Sequence, residues 1–249
     1  MLSIENLTKI YHPGSSDEVH ALSGVNLNVE AGSFVVIIGS NGSGKSTLLH
    51  SLLGTVIPTS GNIKIDEQSL IGMPAYKRSR WISMVFQDPV KGTAPELSVL
   101  ENFRLASLRT KNKGLSIGMN KNFKEEVAEK IKTLGMGLEN KLDQMMGSLS
   151  GGQRQALTLW MSVMDDTKLL LMDEPTAALD PKSAHQVMEL AKKINQEMGI
   201  TILLITHQMK EALDYGTRLL FFNQGNIERD FSENNKPSLQ LMDLQGWFK

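Results

Sequence analysis

The sequence predicts an α/β protein with a mainly parallel sheet, an antiparallel β part at the N-terminus and an inserted helical subdomain. Three observations lead to this fold class. Apolar runs typical of buried strands alternate with helical patterns in both terminal parts of the chain. A glycine-rich loop at residues 39–47 lies between such a run and a helical pattern. Between residues 88 and 160 the strand-like runs vanish, and apolar residues repeat at helical spacing.

The N-terminal part begins with short apolar runs, which turn sequences interrupt at residues 12–14 and 30–32. The run at residues 34–38 predicts a strand that leads into the glycine loop. Leucines after the loop form one face of a predicted helix, and Gly54 is suited to end it. Further strands are predicted at residues 61–65 and 81–87.

A helical insertion follows at residues 88–160, where the apolar positions at helical spacing are Phe123, Val127, Ile131 and Leu134. Strand–helix alternation then returns. An amphipathic helix from Val187 to Met198 is predicted before a strand at residues 200–205. A further strand is predicted at residues 219–222, before a turn at Gly225. The chain is predicted to end in a short helix that carries Leu241, Leu244 and Phe248.

The whole chain, residues 1–249, is therefore expected to form one domain, with residues 1–87 and 161–249 as its α/β core. The formal net charge of −1 argues against a nucleic-acid partner, which would call for a basic stripe. The absence of cysteine excludes disulfides and thiolate metal sites. We find neither a signal-peptide pattern nor an apolar run that approaches the about 20 residues of a membrane-spanning helix. Any role at a membrane is therefore expected to depend on a partner.

The glycine loop has the residue order that polyphosphate binding needs. Glycines let the backbone curl so that successive N–H groups point at phosphate oxygens. Lys45 is expected to reach the β- and γ-phosphates, and the Ser46 hydroxyl is suited to ligate Mg²⁺. An ordinary flexible loop is the alternative, which the strand before and the helix after disfavour. The predicted phosphate-binding residues are Gly39, Ser40, Asn41, Gly42, Ser43, Gly44, Lys45, Ser46 and Thr47.

Three further elements follow the loop along the chain. The sequence Leu-Ser-Gly-Gly-Gln at residues 149–153 precedes a helical stretch. Asp173 and Glu174 end an apolar run, and His207 follows another. With the glycine loop, this set in this order resembles the ATP-binding cassette (ABC) ATPases, which have a P-loop NTPase core, and the resemblance covers essentially the whole chain. It implies ATP and Mg²⁺ as cofactors.

The resemblance also implies catalytic roles. Asp173 would contact the Mg²⁺ shell together with Ser46, and Glu174 would be the general base. Gln87 would sense both Mg²⁺ and the attacking water, and His207 would contact the γ-phosphate. The alternatives are a solvated acidic strand end for the two carboxylates, a surface glutamine and a structural histidine. Tyr11 lies where an aromatic residue commonly stacks on adenine in this family, although a partly buried aromatic residue would also fit.

The signature sequence of the family matches Ser150, Gly151, Gly152 and Gln153. In the family this segment binds the γ-phosphate held by the opposite subunit, which implies an ATP-sandwich homodimer. Asp180 would lie in a loop that crosses the dimer interface. Ser150 is also a typical helix N-cap, and both roles can hold together. Met161 departs from the family pattern, because an arginine is common at this position.

Residues 87–95, 137–139 and 151–158 are similar to one bacterial subgroup, the ATPase subunits of tryptophan/tyrosine importers, whose relatives serve branched-chain amino acids. The resemblance implies an integral membrane permease, an extracytoplasmic substrate-binding protein and a position on the cytoplasmic face of the membrane. We expect the permease to dock near residues 87–100. An exporter subunit is one alternative. A soluble ABC protein acting on ribosomes or DNA is another, although the chain lacks the second cassette or long coiled coils of those proteins.

A basic stretch within the insertion carries no acidic residue between its members, which are Arg104, Arg109, Lys111 and Lys113. A solvated face is the favoured interpretation, and contact with a partner is the alternative.

Overall fold

The computed structural model of the protein describes residues 1–109 and 118–248. Its strands are β1 (Leu2–Tyr11), β2 (Val19–Val29), β3 (Phe34–Ile38), β4 (Ser60–Ile65), β5 (Gln68–Ser69), β6 (Ile82–Val85), β7 (Leu169–Asp173), β8 (Thr201–Ile205), β9 (Arg218–Asn223) and β10 (Asn226–Phe231). Its helices are α1 (Lys45–Leu53), α2 (Ala75–Arg78), α3 (Val99–Ala106), α4 (Lys121–Lys132), α5 (Gly151–Ser162), α6 (Pro181–Met198), α7 (Met209–Asp214) and α8 (Leu241–Gly246). Short 3₁₀ turns occur at Leu138–Asn140, Met146–Ser148 and Lys236–Ser238.

The chain folds into two compact units. The first comprises Met1–Arg78 and Asn195–Lys249, and the second comprises Ser79–Ile194. These boundaries differ from the predicted limits of the helical insertion, residues 88–160, because the second unit also contains β6, β7 and most of α6. The predicted division into one core and one insertion within a single domain remains a prediction.

The first unit contains an antiparallel sheet in the order β2-β1-β4-β5. Leu2 pairs with Val29 on one side and with Ile65 on the other. Leu2 and Ile4 are buried, whereas Glu5 is exposed, so β1 begins with the alternation expected of a sheet with one covered face. The predicted antiparallel part at the N-terminus is confirmed.

A second sheet of the first unit has its strands in the order β10-β9-β3-β8. Strand β3 runs parallel to both β8 and β9, and all five of its residues are buried. Such continuous apolar strands are typical of parallel sheets that are covered on both faces. Strand β10 returns antiparallel to β9 through a turn in which Gln224 and Gly225 both have positive φ, as a tight hairpin requires.

The second unit combines the parallel pair β6–β7 with helices α3 to α6. Its helical core contains Val99, Phe103, Val127, Ile131 and Leu157, all with no exposed surface. Within the described residues of the predicted insertion, the β structure is limited to an isolated bridge between Ser98 and Met145. The predicted helical character of this region is confirmed there, and so is the α/β fold class.

Two predicted helices differ from the structure at their ends. Met198, the last residue of α6, is 47% exposed. The C-terminal helix α8 carries Leu241, which is 45% exposed, and Leu244, which is buried, whereas Phe248 lies beyond its end and is 37% exposed. No helix in the described part of the chain is both long and apolar enough to cross a membrane.

Candidate functional site

The glycine loop joins β3 to α1 in the first unit. Two of its glycines lie so close to neighbouring backbone that no side chain would fit there. A Cβ atom on Gly39 would lie 2.1 Å from the Phe222 carbonyl oxygen, and one on Gly44 would lie 2.2 Å from that of Ala21. Gly44 also has a φ of 104°, which side chains disfavour. These two glycines therefore allow the loop to rest directly on the backbone of β9 and β2.

Hydrogen bonds fix the outer side of the loop. The Gly225 N–H donates to the Ser43 carbonyl oxygen at 2.8 Å, and the Ser23 N–H donates to the Gly225 carbonyl oxygen at 2.9 Å. The turn between β9 and β10 thus connects the loop to β2. Ser43 is buried, whereas Ser40, Asn41, Gly42 and Ser46 are exposed.

Lys45 lies within the curve of this loop and is only 5% exposed. Its Nζ donates to the carbonyl oxygens of Gly39 and Ser40, both at 2.8 Å, and to Ser43 Oγ at 3.4 Å. The ammonium group is therefore held among the oxygens of the loop itself. A phosphate oxygen is a stronger acceptor than a carbonyl oxygen, so the same donors suit a bound polyphosphate.

Helix α1 presents an N-terminus that favours an anion. Gly44 is its N-cap and brings no side chain, and the first turn from Lys45 to Leu48 contains no acidic residue. The N–H groups of this turn and the helix dipole together attract negative charge. The end of the helix is also as predicted, since Gly54 caps it in the left-handed conformation.

His207 lies at the same edge of the first unit's parallel sheet as the glycine loop. Ile37 pairs with Ile205, so Gly39 and His207 each follow that pair by the same distance along parallel strands. The turn at His207 is exposed, and Thr206 fixes it. Thr206 Oγ1 donates to Glu211 Oε2 at 2.6 Å and accepts from the Gln208 N–H at 3.1 Å.

Tyr11 is the last residue of β1 and is partly buried. Lys9 Nζ lies 4.8 Å from the centroid of the Tyr11 ring, within cation–π range, and it donates to the Ile57 carbonyl oxygen at 3.0 Å. These contacts describe what surrounds Tyr11 in the structure. Its stacking on adenine remains a prediction.

Gln87 and the two carboxylates occupy the corresponding edge of the second unit. Val85 pairs with Met172 in the parallel pair, which brings Gln87 and Glu174 to matching positions beyond the strand ends. Asp173 is the last residue of β7 and is partly buried. Glu174 adopts a φ of 48°, and its carbonyl oxygen accepts from the Ala177 N–H at 3.2 Å. A left-handed conformation at a non-glycine residue stores strain, and such residues cluster at functional sites.

Ser150 N-caps α5, which confirms the capping interpretation. Its Oγ accepts from the Gln153 N–H at 3.3 Å, and its own N–H donates to Gln153 Oε1 at 3.2 Å. This reciprocal pair is a capping box. The γ-phosphate contact in a second subunit is a separate role for the same residues, and it remains a prediction.

The two signature glycines differ in their surroundings. A Cβ atom on Gly152 would lie 2.4 Å from both Cβ and Oγ of Ser183, in the first turn of α6. A Cβ atom on Gly151 would only touch Leu179 Cδ2 at 3.6 Å, an ordinary contact. Close helix packing thus explains Gly152, a reason that the sequence pattern alone does not supply.

Asp180 precedes α6, and its side chain caps the N-terminus of this helix. Its Oδ1 accepts from the N–H groups of Ser183 and Lys182, both at 3.1 Å. Hydrogen bonds from Ser183 are the main cause that lowers the pKa of the Asp180 carboxyl, so it is ionised at neutral pH. The carboxylate is exposed, and its predicted place at a dimer interface remains a prediction.

Gln155 is a residue that the sequence reasoning missed. It is fully buried on α5, and its Nε2 donates to the carbonyl oxygens of Phe86 and Pro175, both at 2.9 Å. These two carbonyls belong to the residues next to Gln87 and Glu174. The one signal in the sequence is an amide among the apolar residues of a predicted helix, which does not reveal partners so far away along the chain.

The predicted solvated face of the basic stretch is wrong at Arg109. Its guanidinium donates to Ser83 Oγ, to Thr167 Oγ1 at 2.7 Å and to the Ser162 carbonyl oxygen at 3.3 Å. Burial lowers the pKa of Arg109, because the charge is partly removed from water. Arg104 lies 5.6 Å from the Phe123 ring centroid, whereas Lys111 and Lys113 fall outside the described residues.

The predicted metal ligands supply donors of the kind that Mg²⁺ prefers. Ser46 has a hydroxyl, Gln87 an amide oxygen and Asp173 a carboxylate, all hard oxygen ligands. Across residues 1–109 and 118–248, no cluster of three or more His, Cys, Asp or Glu side chains is arranged to hold a metal ion.

Comparison with known proteins identifies relatives over nearly the whole chain. Residues 22–177 match the family model described as ABC transporter. The chain is 39% identical over 247 residues to the tyrosine transport ATP-binding protein of Clostridioides difficile (strain R20291), covering 98% of this chain and 97% of that protein. It is 36% identical to the methionine import ATP-binding protein of Escherichia coli (strain K12), covering 84% of this chain and 59% of that protein.

Solved structures show the same fold. A dimeric, post-hydrolysis ATP-binding cassette bound to ADP and Pi is 31% identical, with a TM-score of 0.80 over 94% of this chain and 99% of that one. An ATP-binding cassette of an ABC transporter in its ADP conformation is 27% identical, with a TM-score of 0.80 over 98% of this chain and 96% of that one.

Proposed function

The chain belongs to the ABC transporter family of ATP-hydrolysing cassettes, and on this premise we propose that it powers a membrane importer for tyrosine, tryptophan or a closely related amino acid. The observation that carries the substrate class is the 39% identity to a tyrosine transport ATP-binding protein across 98% of the chain. Similarity to a methionine import protein supports import and amino-acid transport more generally.

In the proposed reaction the glycine loop and Lys45 bind the phosphates of ATP through N–H donors. Ser46, Gln87 and Asp173 would hold Mg²⁺, which would supply charge neutralisation at the phosphates. Glu174 takes a proton from the attacking water, and His207 donates to the γ-phosphate. Tyr11 stacks on adenine. The matching positions of Gly39 and His207 beyond the ends of β3 and β8, and of Gln87 and Glu174 beyond the ends of β6 and β7, support these roles.

The working form is a homodimer in which Ser150, Gly151, Gly152 and Gln153 of one copy contact the nucleotide of the other. Asp180 lies in the loop that crosses between the copies. A dimeric relative at 31% identity supports this assembly. The exposure of Gly151 and Asp180 supports it as well, because both are accessible to a second copy.

The permease docks on the second unit near residues 87–100. A cavity of about 390 Å³ lies there, and its lining includes Lys91, Gly92, Thr93, Ala94 and Arg109. Its volume suits a short segment of a partner. Through this contact the chain would sit on the cytoplasmic face of the membrane, and an extracytoplasmic binding protein would deliver the substrate.

Transport in proteoliposomes tests the proposal and its alternative. The chain is reconstituted with the permease encoded beside it, with Mg-ATP enclosed in the lumen and labelled tyrosine and the binding protein outside. Uptake that Lys45→Ala abolishes is expected for an importer. An exporter would instead accumulate the label only when ATP is added outside, and absence of tyrosine or tryptophan transport in both arrangements would reject the substrate class.

A further inference from the structure

The buried side-chain amide of Gln155, in the second unit, contacts two segments of the proposed site. One segment carries Gln87, which is proposed to sense the attacking water, and the other carries Glu174, the proposed general base. Gln155 has no exposed surface, and its Nε2 group bonds the carbonyl oxygens of Phe86 and Pro175, each at 2.9 Å. The first carbonyl precedes Gln87 and the second follows Glu174. Both N–H bonds of one planar amide are used, so the two carbonyls are held at a fixed separation and direction.

The oxygen atom of this amide indicates that packing alone does not explain why residue 155 is a glutamine. Gln155 Oε1 is buried and has no hydrogen-bond partner among the described residues. An unsatisfied buried acceptor costs free energy, and an apolar side chain of similar length would avoid that cost. A purely structural position on an apolar helix face would therefore favour methionine or leucine over glutamine.

We propose that Gln155 is a positioning residue for ATP hydrolysis, which holds Gln87 and Glu174 in register with one another through the backbone on either side. Gln155 touches neither nucleotide nor water in this role. It acts because β6 and β7 end before Gln87 and Glu174, so the ladder between the strands does not fix the residues beyond Val85 and Met172. The inference rests on the roles proposed above for Gln87 and Glu174.

The strained conformation of Glu174 suggests a second effect of the two hydrogen bonds from Gln155, which we call the bridge. With φ at 48°, Glu174 would relax toward ordinary backbone angles unless its neighbours prevented it. The bond from Gln155 to the Pro175 carbonyl restrains the Pro175–Thr176 peptide, one residue beyond Glu174. Removal of the bond is expected to widen the range of Glu174 orientations and to slow the chemical step more than it weakens ATP binding.

The test compares steady-state ATP hydrolysis by the full chain and by Gln155→Met, which keeps the length but removes both donors. We expect kcat to fall by about 10²-fold, the usual effect of a displacement near 1 Å, with KM for Mg-ATP changed by less than about threefold. Ser162→Ala is the matched control. Ser162 is buried on the same helix, and among the described residues its hydroxyl bonds only the Leu159 carbonyl oxygen, at 2.6 Å.

Gln155→Glu gives a pH-dependent readout of the same bridge, and its melting temperature at each pH separates this effect from a general loss of packing. The ionised side chain has no donor and faces two carbonyl oxygens, whereas the protonated one regains a single O–H donor. Hydrolysis by this variant, relative to wild type, should therefore recover in part as the pH falls, and that of Gln155→Met should not. A ratio that is flat with pH would contradict the proposal.

Two further outcomes would overturn it. Gln155→Met with an unchanged kcat would show that the bridge is not needed. If kcat, the affinity for Mg-ATP and the melting temperature of Gln155→Met all fell together, the role of Gln155 would be structural. Glu174→Gln in the same assay separates this inference from its premise. If that variant hydrolyses ATP normally the premise fails, and if it is inactive while Gln155→Met is active only the inference fails.

Discussion

Individual residues of the glycine loop meet two requirements, close backbone packing and a buried positive charge, that the sequence pattern does not separate. Gly39 and Gly44 are needed for contact with neighbouring backbone, where a Cβ atom would overlap a carbonyl oxygen. Lys45 is buried, its ammonium group bonds oxygens of the loop, and its proposed role depends on that charge. A change at Lys45 should therefore affect ligand binding, whereas a change at either glycine should disturb the fold of the loop itself.

Lys45→Ala is expected to abolish productive ATP binding. Charge-assisted hydrogen bonds are each worth roughly 1.5–3 kcal/mol, so the loss of this ammonium should weaken affinity by at least tenfold. Titration of the purified variant with ATP measures the effect, with melting temperature as the check on folding. Unchanged affinity and turnover would reject the phosphate-binding role of the loop.

Gly152→Ala is expected to destabilise the protein by about 1–3 kcal/mol, the usual cost of overpacking. The new Cβ would lie 2.4 Å from Ser183, and the pairing Gly152→Ala/Ser183→Gly should recover part of the loss. Gly151→Ala is the matched control, because its Cβ would meet only Leu179 at 3.6 Å. Urea unfolding of the four proteins decides the matter. Equal stability of the two alanine variants would contradict the packing explanation.

Local signals made some of these residues predictable and others not. The cap at Ser150 could be predicted because its partner Gln153 lies three residues away, in a capping box. Gln155 and Arg109 could not, because their partners lie 20 to 69 and 26 to 58 residues away. One sequence shows that a side chain is polar but not which distant backbone it will meet.

At the scale of elements, strands and helices were predictable wherever a long apolar period is present, and their ends were not. β3 and α6 follow their patterns closely, but the exposure of Met198 shows that a periodic residue at a helix terminus need not be covered. The boundaries of the two compact units likewise depend on contacts between distant segments, which periodicity does not encode.

The C-terminal segment is fixed by a buried ammonium group. Lys236 is 6% exposed and donates to the carbonyl oxygens of Tyr215 and, at 2.7 Å, Gly216. Burial lowers the pKa of Lys236 from 10.5 to about 8, against a smaller opposing effect of Asp214. The unfolded chain therefore binds this proton more tightly than the folded protein does.

Between about pH 8 and the ordinary lysine value of 10.5, the stability of the wild type should rise relative to Lys236→Met. Below this window the lysine is charged in both states, and the full cost of burying the charge is present. Urea unfolding of both proteins at several pH values from 7 to 10.5 measures the difference. A difference that falls with increasing pH would mean that the fold favours the charged form.

The segment at residues 87–100 is expected to contact the permease, and the chain is well suited to cross-linking because it has no native cysteine. Val90→Cys, at a site that is 43% exposed, should form a disulfide with cysteines in cytoplasmic segments of the permease. Met242→Cys is the control, since that site is 73% exposed and lies on α8. Cross-links from Met242→Cys alone would place the docking surface elsewhere.

At the scale of the whole molecule, one chain carries both a complete phosphate loop and a complete signature. If the signature serves the nucleotide of a second copy, the dimer has two equivalent sites related by two-fold symmetry. ATP then joins the two copies, and hydrolysis releases them. The stability of the dimer should therefore depend on whether Glu174 can complete the reaction.

Glu174→Gln keeps the shape of the side chain but removes the base, so turnover should fall by roughly 10²–10⁴-fold while Mg-ATP binding persists. This variant should accumulate as an ATP-bound dimer, and adding Lys45→Ala to it should abolish the dimer because no nucleotide is bound. Size-exclusion chromatography with light scattering, with and without ATP, measures both states. Normal hydrolysis by Glu174→Gln would remove Glu174 from its role. If it instead stays monomeric at saturating ATP, both alone and when reconstituted with its permease, the nucleotide does not join two copies and the signature must act within a single chain.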